Sequence, residues 1–366
     1  MIHNKLAGFA AIGMAGALAL TGCATKKDTP SAGGSGGSDA TVKIMVGGMS
    51  KVIYMPAALT QQLGYFKDEG VKVQLIDTPA GVTAETSLIA GKAEGVVGFY
   101  DHTIDMQAKG KCLESVVQFA NVPGEVEMVS KKQAGTITSA KDLKGKKLGV
   151  TSQGSSTDFL TQYFTGKAGI STSQYTTVKA GADATFIASM TSGGIDAGMT
   201  TDPTVARLTK TGEGKVLFDM RTEAGTKAAL GGLYPASSLY MSCDYVKKNP
   251  QQVQKVANAF VKTLKWINNH SAQQISDKMP SDYKGSDPAL YVQALKGSKG
   301  IFNTTGLMDA AGAKNALNVL GSFSPRSSRR RTRSTSARPT PPSSRKRQAP
   351  PDREEHQPTE RMAKSP

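Results

Sequence analysis

Two short stretches about a hundred residues apart carry the same pattern, and that pattern limits the fold more than any other feature of the chain. The first runs Leu88-Ile89-Ala90-Gly91-Lys92-Ala93-Glu94-Gly95-Val96-Val97, and the second Met190-Thr191-Ser192-Gly193-Gly194-Ile195-Asp196-Ala197-Gly198-Met199. Each reads as a helix end, a glycine that stops it, an acidic residue and a short buried strand. A unit of this kind occurring twice predicts two similar lobes.

The surrounding sequence alternates in the same way. Thr41–Val46, Val71–Ile76 and Gly95–Phe99 read as strands, with helices from about Pro56 to Gly64 and from Ala84 to Ala90. Leu113–Phe119, Val126–Ser130, Lys147–Val150 and Leu239–Met241 continue the strand series. A helix follows Gly154-Ser155-Ser156 as far as about Thr165, and Ala182–Thr191 forms another. From Pro250 to Asn268 the apolar residues Val253, Val256, Ala257, Phe260, Val261, Leu264 and Ile267 keep a helical period, with Asn249-Pro250 as cap and first turn. Strand–helix alternation predicts an α/β fold with largely parallel sheets.

The 366 residues carry a formal charge of +16, which would ordinarily raise nucleic acid or an anionic membrane as a partner. The charge is unevenly placed. Residues 325–366 hold ten Arg and two Lys against four acids, with eight of the 17 Pro and no Val, Ile, Leu, Phe, Tyr or Trp. Such a segment is too poor in apolar area to offset its ordering entropy, so a disordered basic tail is expected. Its abrupt composition is also what a GC-rich gene yields out of frame: Pro325-Arg326-Ser327-Ser328 can be encoded so that another frame reads Ala-Val-Lys. The tail is read as frameshifted rather than as a nucleic-acid arm, and no nucleic-acid partner is expected. The apolar content suits a real core, and the composition excludes a multi-pass membrane protein, a disulfide-dense miniprotein and a collagen-like fibre.

The other end gives an address. Lys5 precedes an apolar run from Leu6 to Leu20, and Leu20-Thr21-Gly22-Cys23 closes it. The run is short for a bilayer span and has the anatomy of a signal peptide over residues 1–22. Its last four residues resemble the bacterial lipobox, which implies cleavage before Cys23 and acyl chains on that residue as the membrane anchor. Residues 23–40 are polar and rich in Gly and Ser, a flexible tether. An extracytoplasmic, lipid-anchored domain follows as the expectation. Two cysteines remain, Cys112 and Cys243, either a disulfide in an oxidising compartment or two separate buried thiols.

Three segments in the body carry a resemblance to a known family. Pro56…Leu63-Gly64-Tyr65-Phe66…Gly70-Val71-Lys72-Val73 resembles the first lobe of ABC-transporter solute-binding proteins for nitrate, sulfonates and taurine. Asp142-Leu143-Lys144-Gly145-Lys146-Lys147-Leu148-Gly149-Val150 with Gly154-Ser155-Ser156 is similar to the start of their second lobe, and Gly194-Ile195-Asp196-Ala197…Asp202-Pro203 to a later signature. The resemblance implies a type II periplasmic-binding-protein fold: two α/β lobes, a ligand cleft and two crossover strands. Lobe one would comprise residues 41–125 and 240–324, and lobe two 126–239. It also implies a small-molecule ligand, a permease with its ATPase as partners, and a monomer. Fungal thiamine-pyrimidine synthases share the fold and are enzymes, but the clustered Cys and His they use are missing here.

Candidate ligand contacts lie where strands run into helices. Gly154, Ser155, Ser156 and Thr157 could hold an oxyanion through free amides, hydroxyls and the helix dipole, or serve as a plain Ser cap. Ser50, Lys51 and Tyr54 occupy the matching place in lobe one, where Lys51 could add charge or simply be solvated. Tyr100, Asp101 and His102 should face the cleft mouth, although Asp101 could equally be a helix cap. Thr201 and Asp202 end the matching strand of lobe two, and Tyr234 is a hinge, cleft or core residue. Two acids near the cleft, Asp101 and Asp202, argue against a small inorganic anion such as nitrate. They favour a taurine-like zwitterion or a pyrimidine. No catalytic set, cofactor motif or metal-ligand spacing is present: no HExxH, paired CxxC, GxSxG or Walker A occurs. The sequence therefore reads as a binding protein of an importer. A lipid-anchored sensor and a synthase-type enzyme stand as alternatives.

Overall fold

The computed structural model describes residues 40–323. The leader with Cys23, the tether as far as residue 39 and the tail from 325 onward lie outside the described residues.

Ten strands form two five-stranded sheets. They are β1 (Val42–Val46), β2 (Val73–Asp77), β3 (Gly95–Phe99), β4 (Leu113–Gln118), β5 (Glu125–Ser130), β6 (Lys147–Val150), β7 (Thr176–Lys179), β8 (Ala197–Thr201), β9 (Gly214–Asp219) and β10 (Ser237–Ser242). The first sheet has the order β2-β1-β3-β10-β4 and the second β7-β6-β8-β5-β9. The two orders correspond position by position. The strands of the repeated sequence unit, β3 and β8, hold the same central place in each. The helices before them, Gly81–Ile89 and Asp183–Ser192, end against Gly91 at φ +71° and Gly193 at φ +83°. Only glycine adopts that left-handed conformation at no steric cost, so the sequence signal is a backbone requirement.

In chain order the helices are α1 (Met55–Gln62), α2 (Tyr65–Asp68), α3 (Gly81–Ile89), α4 (Asp101–Ala108), α5 (Ser156–Lys167), α6 (Asp183–Ser192) and α7 (Thr204–Thr211). They continue with α8 (Glu223–Leu230), α9 (Cys243–Lys248), α10 (Pro250–Asn269), α11 (Ala272–Lys278), α12 (Ser281–Lys284), α13 (Pro288–Ser298) and α14 (Ala310–Phe323). Of the predicted apolar stripe of α10, Val253, Val256, Phe260, Leu264 and Ile267 are buried while Ala257 and Val261 lie at its partly exposed edge. Phe260 packs on Phe66 and Phe119 at ring distances of 5.3 and 4.9 Å. Pro250 opens that helix as expected, but the Asn249 side chain makes no capping bond.

The sheets are less parallel than the alternation predicts. β10 runs antiparallel to both β3 and β4, and β5 antiparallel to both β8 and β9. β5 follows a β4 that belongs to the first sheet, and β10 follows helices packed on the second. Neither strand is entered through a helical crossover within its own sheet, which is the connection that imposes parallel pairing. One apolar core runs from Ile44 and Val97 through Phe119 and Tyr234 to Leu160 and Met199, joining both sheets. Cys112 and Cys243 form a disulfide between the chain entering β4 and the chain leaving β10, with Cα atoms 5.5 Å apart. No helix among the described residues is long and apolar enough to cross a membrane.

Candidate functional site

The C-terminal ends of β1, β3, β6 and β8 converge, and the loops that leave them wall a cavity. Lys51, Ile53, Tyr54, Gly81, Phe99 and His102 line it from the first sheet's side. Glu125, Thr151, Ser155, Ser156, Thr157, Ala182, Thr200 and Thr201 line it from the second. Its volume is about 20 Å³, enough for a water or two and too little for a metabolite. A larger ligand requires the two sides to separate. Of the sequence candidates, Lys51, Tyr54, His102, Ser155, Ser156, Thr157 and Thr201 lie in this wall; Ser50, Tyr100, Asp101, Gly154, Asp202 and Tyr234 do not.

Asp101 is at the floor rather than the mouth. It sits in the first turn of α4, fully buried, and caps nothing. Ser156 Oγ at the start of α5 donates to its Oδ1 at 2.8 Å, and Tyr234 OH donates to its Oδ2 at 2.8 Å. One carboxyl thus links the first sheet, the second sheet and the chain returning to β10. Burial raises its pKa to about 7, with the Ser156 and Tyr234 bonds opposing. Tyr234 is therefore a buried partner of Asp101, and Tyr100 is half-buried beside it.

His102 is also buried, not at a cleft mouth. Its Nδ1 lies 3.5 Å from Glu85 Oε2 and 3.3 Å from Tyr240 OH, and its Nε2 lies 4.0 Å from Asp101 Oδ1. Burial lowers His102 to about 3 and raises Glu85 to about 8, so the pair is neutral near pH 7. The ring fits because position 81 is glycine: a Cβ there would stand 2.7 Å from His102 Cε1.

The start of α5 differs from the oxyanion cradle expected of it. The Gly154 amide is taken by Asp158 Oδ2 at 2.8 Å, and Thr157 Oγ1 accepts from the Thr151 amide at 2.9 Å. Ser155 Oγ donates to Ser152 O at 2.6 Å. A short strand-to-helix turn satisfies its own groups first, which removes Gly154 and the Ser155 hydroxyl from ligand contact. The amides of Ser156 and Thr157 have no acceptor among the described residues, so the positive end of α5 remains open to the cavity.

Opposite it stands Lys51, buried, with Nζ donating to Gly47 O at 2.9 Å and lying 5.8 Å from the Tyr54 ring centroid. Burial lowers its pKa while Glu125, Asp183 and Asp77 raise it. Tyr54 meets Phe99 edge-on at 6.4 Å. Glu125, absent from the sequence candidates, is buried in the same wall, and its Oε2 has no partner among the described residues. Burial, and then the nearby Asp101, push its carboxyl well above the usual range. In sequence, Glu125-Val126-Glu127-Met128 reads as one wet and one dry strand face, yet every residue of β5 is buried. That acid at a strand entering the second sheet was the available signal, and alternation masked it.

Asp202 is held in a network of its own, outside the cavity wall. Its Oδ2 accepts from Arg221 Nη1 at 3.1 Å and Ser298 Oγ at 2.7 Å, its Oδ1 from the Ala206 amide at 3.0 Å, and its carbonyl from the Val52 amide at 3.0 Å. A charge fully removed from water needs such partners, and they leave nothing for a solute. Ser50 likewise turns away from the cavity to donate to Asp183 Oδ2. Among the described residues no group of His, Cys, Asp and Glu is arranged to hold a metal ion.

The chain as a whole is similar to known proteins. A protein of Bordetella bronchiseptica RB50 is 35% identical, with a TM-score of 0.76, over 79% of this chain and 91% of that one. The alkanesulfonate-binding protein of Xanthomonas axonopodis pv. citri, solved with MOPS, has a TM-score of 0.61 at 20% identity, over 78% of this chain and 95% of that one. The 4-amino-5-hydroxymethyl-2-methylpyrimidine phosphate synthase of Aspergillus parasiticus is 28% identical over 225 residues, 58% of this chain. The match spans 63% of that synthase, less than two thirds of its length. The chain has the periplasmic-binding-protein fold of these solved neighbours. With residues 53–274 matched, it belongs to the NMT1/THI5-like family.

Proposed function

We propose that this chain is the extracytoplasmic solute-binding component of an ABC importer, held to the membrane by lipid on Cys23. Two lobes, one on each sheet, close on one ligand, and the closed form docks on a permease. Glu125 goes with the second sheet and Ser237–Leu239 with the first, which shifts the bounds read from sequence. The observation that carries this reading is the makeup of the cavity wall. The Lys51 amine and the open amides of α5 suit an oxyanion, while the unpartnered Glu125 carboxyl suits an amine or ring N–H. Both ends in one cleft favour a small zwitterion of the taurine or sulfonate type, or an aminopyrimidine-like heterocycle. Contacts from both sides give the ligand differential affinity for the closed state, which drives closure. The wall's one imidazole, His102, is buried with Nδ1 beside Glu85 and Tyr240. Isothermal titration against taurine, alkanesulfonates, nitrate and pyrimidines tests the reading. One saturable 1:1 ligand is expected, with affinity falling at least tenfold in Glu125→Gln or Lys51→Met. Silence across the panel and across a broader metabolite thermal-shift screen would sink it.

A further inference from the structure

A second cavity of about 240 Å³ adjoins the first, and its walls again come from both sides. Ser50 and Asp183 stand between the two: they line the outer cavity, while their chain neighbours Lys51 and Ala182 line the inner one. The partition is built in. Asp183 is the one described non-glycine residue with positive φ, at 50°. Its carboxylate accepts from Ser50 across the divide and from Thr204 Oγ1 at 3.2 Å.

The charges of the outer cavity sort into used and unused. Asp183 is occupied as above. Asp287 accepts from Lys210 Nζ at 2.7 Å and caps α13 through the Leu290 amide at 3.0 Å. Asp282 and Lys284 at the rim add one charge of each sign, and two further donors stand deeper in the wall. The Arg207 guanidinium is half-buried in the wall; its charge helps to lower the Asp287 carboxyl, but it makes no hydrogen bond among the described residues. Tyr291 is 2% exposed, and its hydroxyl has no partner among the described residues. Burial raises the Tyr291 phenol, so it stays protonated and can donate. Guanidinium only donates, and a buried phenol without an acceptor costs free energy. Ile187, Pro203 and Leu290 supply the apolar part of the wall, beside the polar Thr204 and Tyr283.

We propose that this outer cavity is a second binding site, which takes an organic oxyanion, a carboxylate or sulfonate on a small apolar body, between Arg207 and the Tyr291 hydroxyl. It lies outside the Ser50–Asp183 partition, so it meets a solute before the inner cavity does. The proposal rests on the cleft reading above only for that direction of approach.

The test is ¹⁹F NMR titration of the full chain with 4-fluorobenzenesulfonate and 4-fluorobenzoate, with 4-fluorobenzamide as the neutral comparison. Saturable binding of both anions is expected, with the amide at least tenfold weaker. Arg207→Met and Tyr291→Phe should each weaken anion binding at least fivefold while the thermal midpoint stays near that of the parent. Binding untouched by either substitution, or no saturable binding at all, overturns the assignment. Loss in Lys51→Met with Arg207→Met unaffected places the probe in the inner cavity and also overturns it. Each of these failures leaves the calorimetric panel for the inner cavity free to succeed, so the two readings fall separately.

Discussion

Ser156 donates its hydroxyl hydrogen to Asp101 across 2.8 Å, from the helix that follows β6 to the helix that follows β3. The bond crosses between the two sheets, and Tyr234 holds the other oxygen of the same carboxyl from the connecting chain. Both partners of Asp101 are buried, so no water replaces a lost donor.

Ser156→Ala should therefore lower stability by about 1–2 kcal/mol, the usual effect of stranding one side of a buried hydrogen bond. Urea unfolding followed by circular dichroism measures it. A shift below about 0.3 kcal/mol, within the error of such mutational comparisons, would mean that Asp101 is held by Tyr234 alone.

Acid should stabilise this protein over a wide range. Asp101, Glu85 and Glu127 have folded-state pKa values of about 7, 8 and 8, raised chiefly by burial from ordinary carboxyl values near 4. A raised carboxyl keeps its proton in the folded state longer than in the unfolded one. Its contribution is whole below about pH 4 and is lost as pH rises through 7 to 8. His102, depressed to about 3, works in the opposite sense and removes stability as pH falls below its ordinary 6.5. Three groups outweigh one. The thermal midpoint should climb as pH drops from 8.5 to about 5.5 and flatten in Glu85→Gln; a midpoint that falls on acidification through that interval contradicts the assignment.

Arg221→Ala should be among the most damaging changes away from the apolar core. It leaves the fully buried Asp202 carboxylate with only Ser298 and the Ala206 amide. Breaking a buried ion pair on one side costs about 3–5 kcal/mol. Arg221 is partly exposed, so the lower end of that range is expected in denaturant titration. Asp202→Asn combined with Arg221→Ala should recover part of the loss, because the uncompensated charge is then gone.

Reduction of the disulfide should lower the thermal midpoint. Cys112 and Cys243 close a loop with a sequence separation of 131 residues. Cross-links of such length stabilise by about 2–4 kcal/mol through the unfolded ensemble. Scanning calorimetry with and without reductant, beside Cys243→Ser, reads the effect; identical midpoints would show the thiols unpaired in the native protein.

The parts of the fold that depend on neighbours in sequence were legible there. The stop glycines Gly91 and Gly193, the short apolar strands behind them and the stripe of α10 follow from backbone freedom and periodicity alone. What could not be read depends on distant residues. Asp202 reads as a lone acid before a proline until Arg221 and Ser298 are brought to it. Asp101 reads as a cap until Ser156 and Tyr234 reach it from 55 and 133 residues away. Glu125 stands one residue before the strand read from Val126, and nothing local shows that a second layer covers it.

The exchange of strands between the sheets has a consequence for how the molecule comes into being. Between its pairing with β3 and its pairing with β4, β10 holds the first sheet together, and it is supplied by residues 237–242. An emerging chain thus carries most of the first sheet, then all of the second, before the piece that completes the first appears. Loop closure over such distances is slow, so a nascent or translocating chain remains pliable until late. A chain cut before residue 237 should leave the first sheet without the strand that joins β3 to β4.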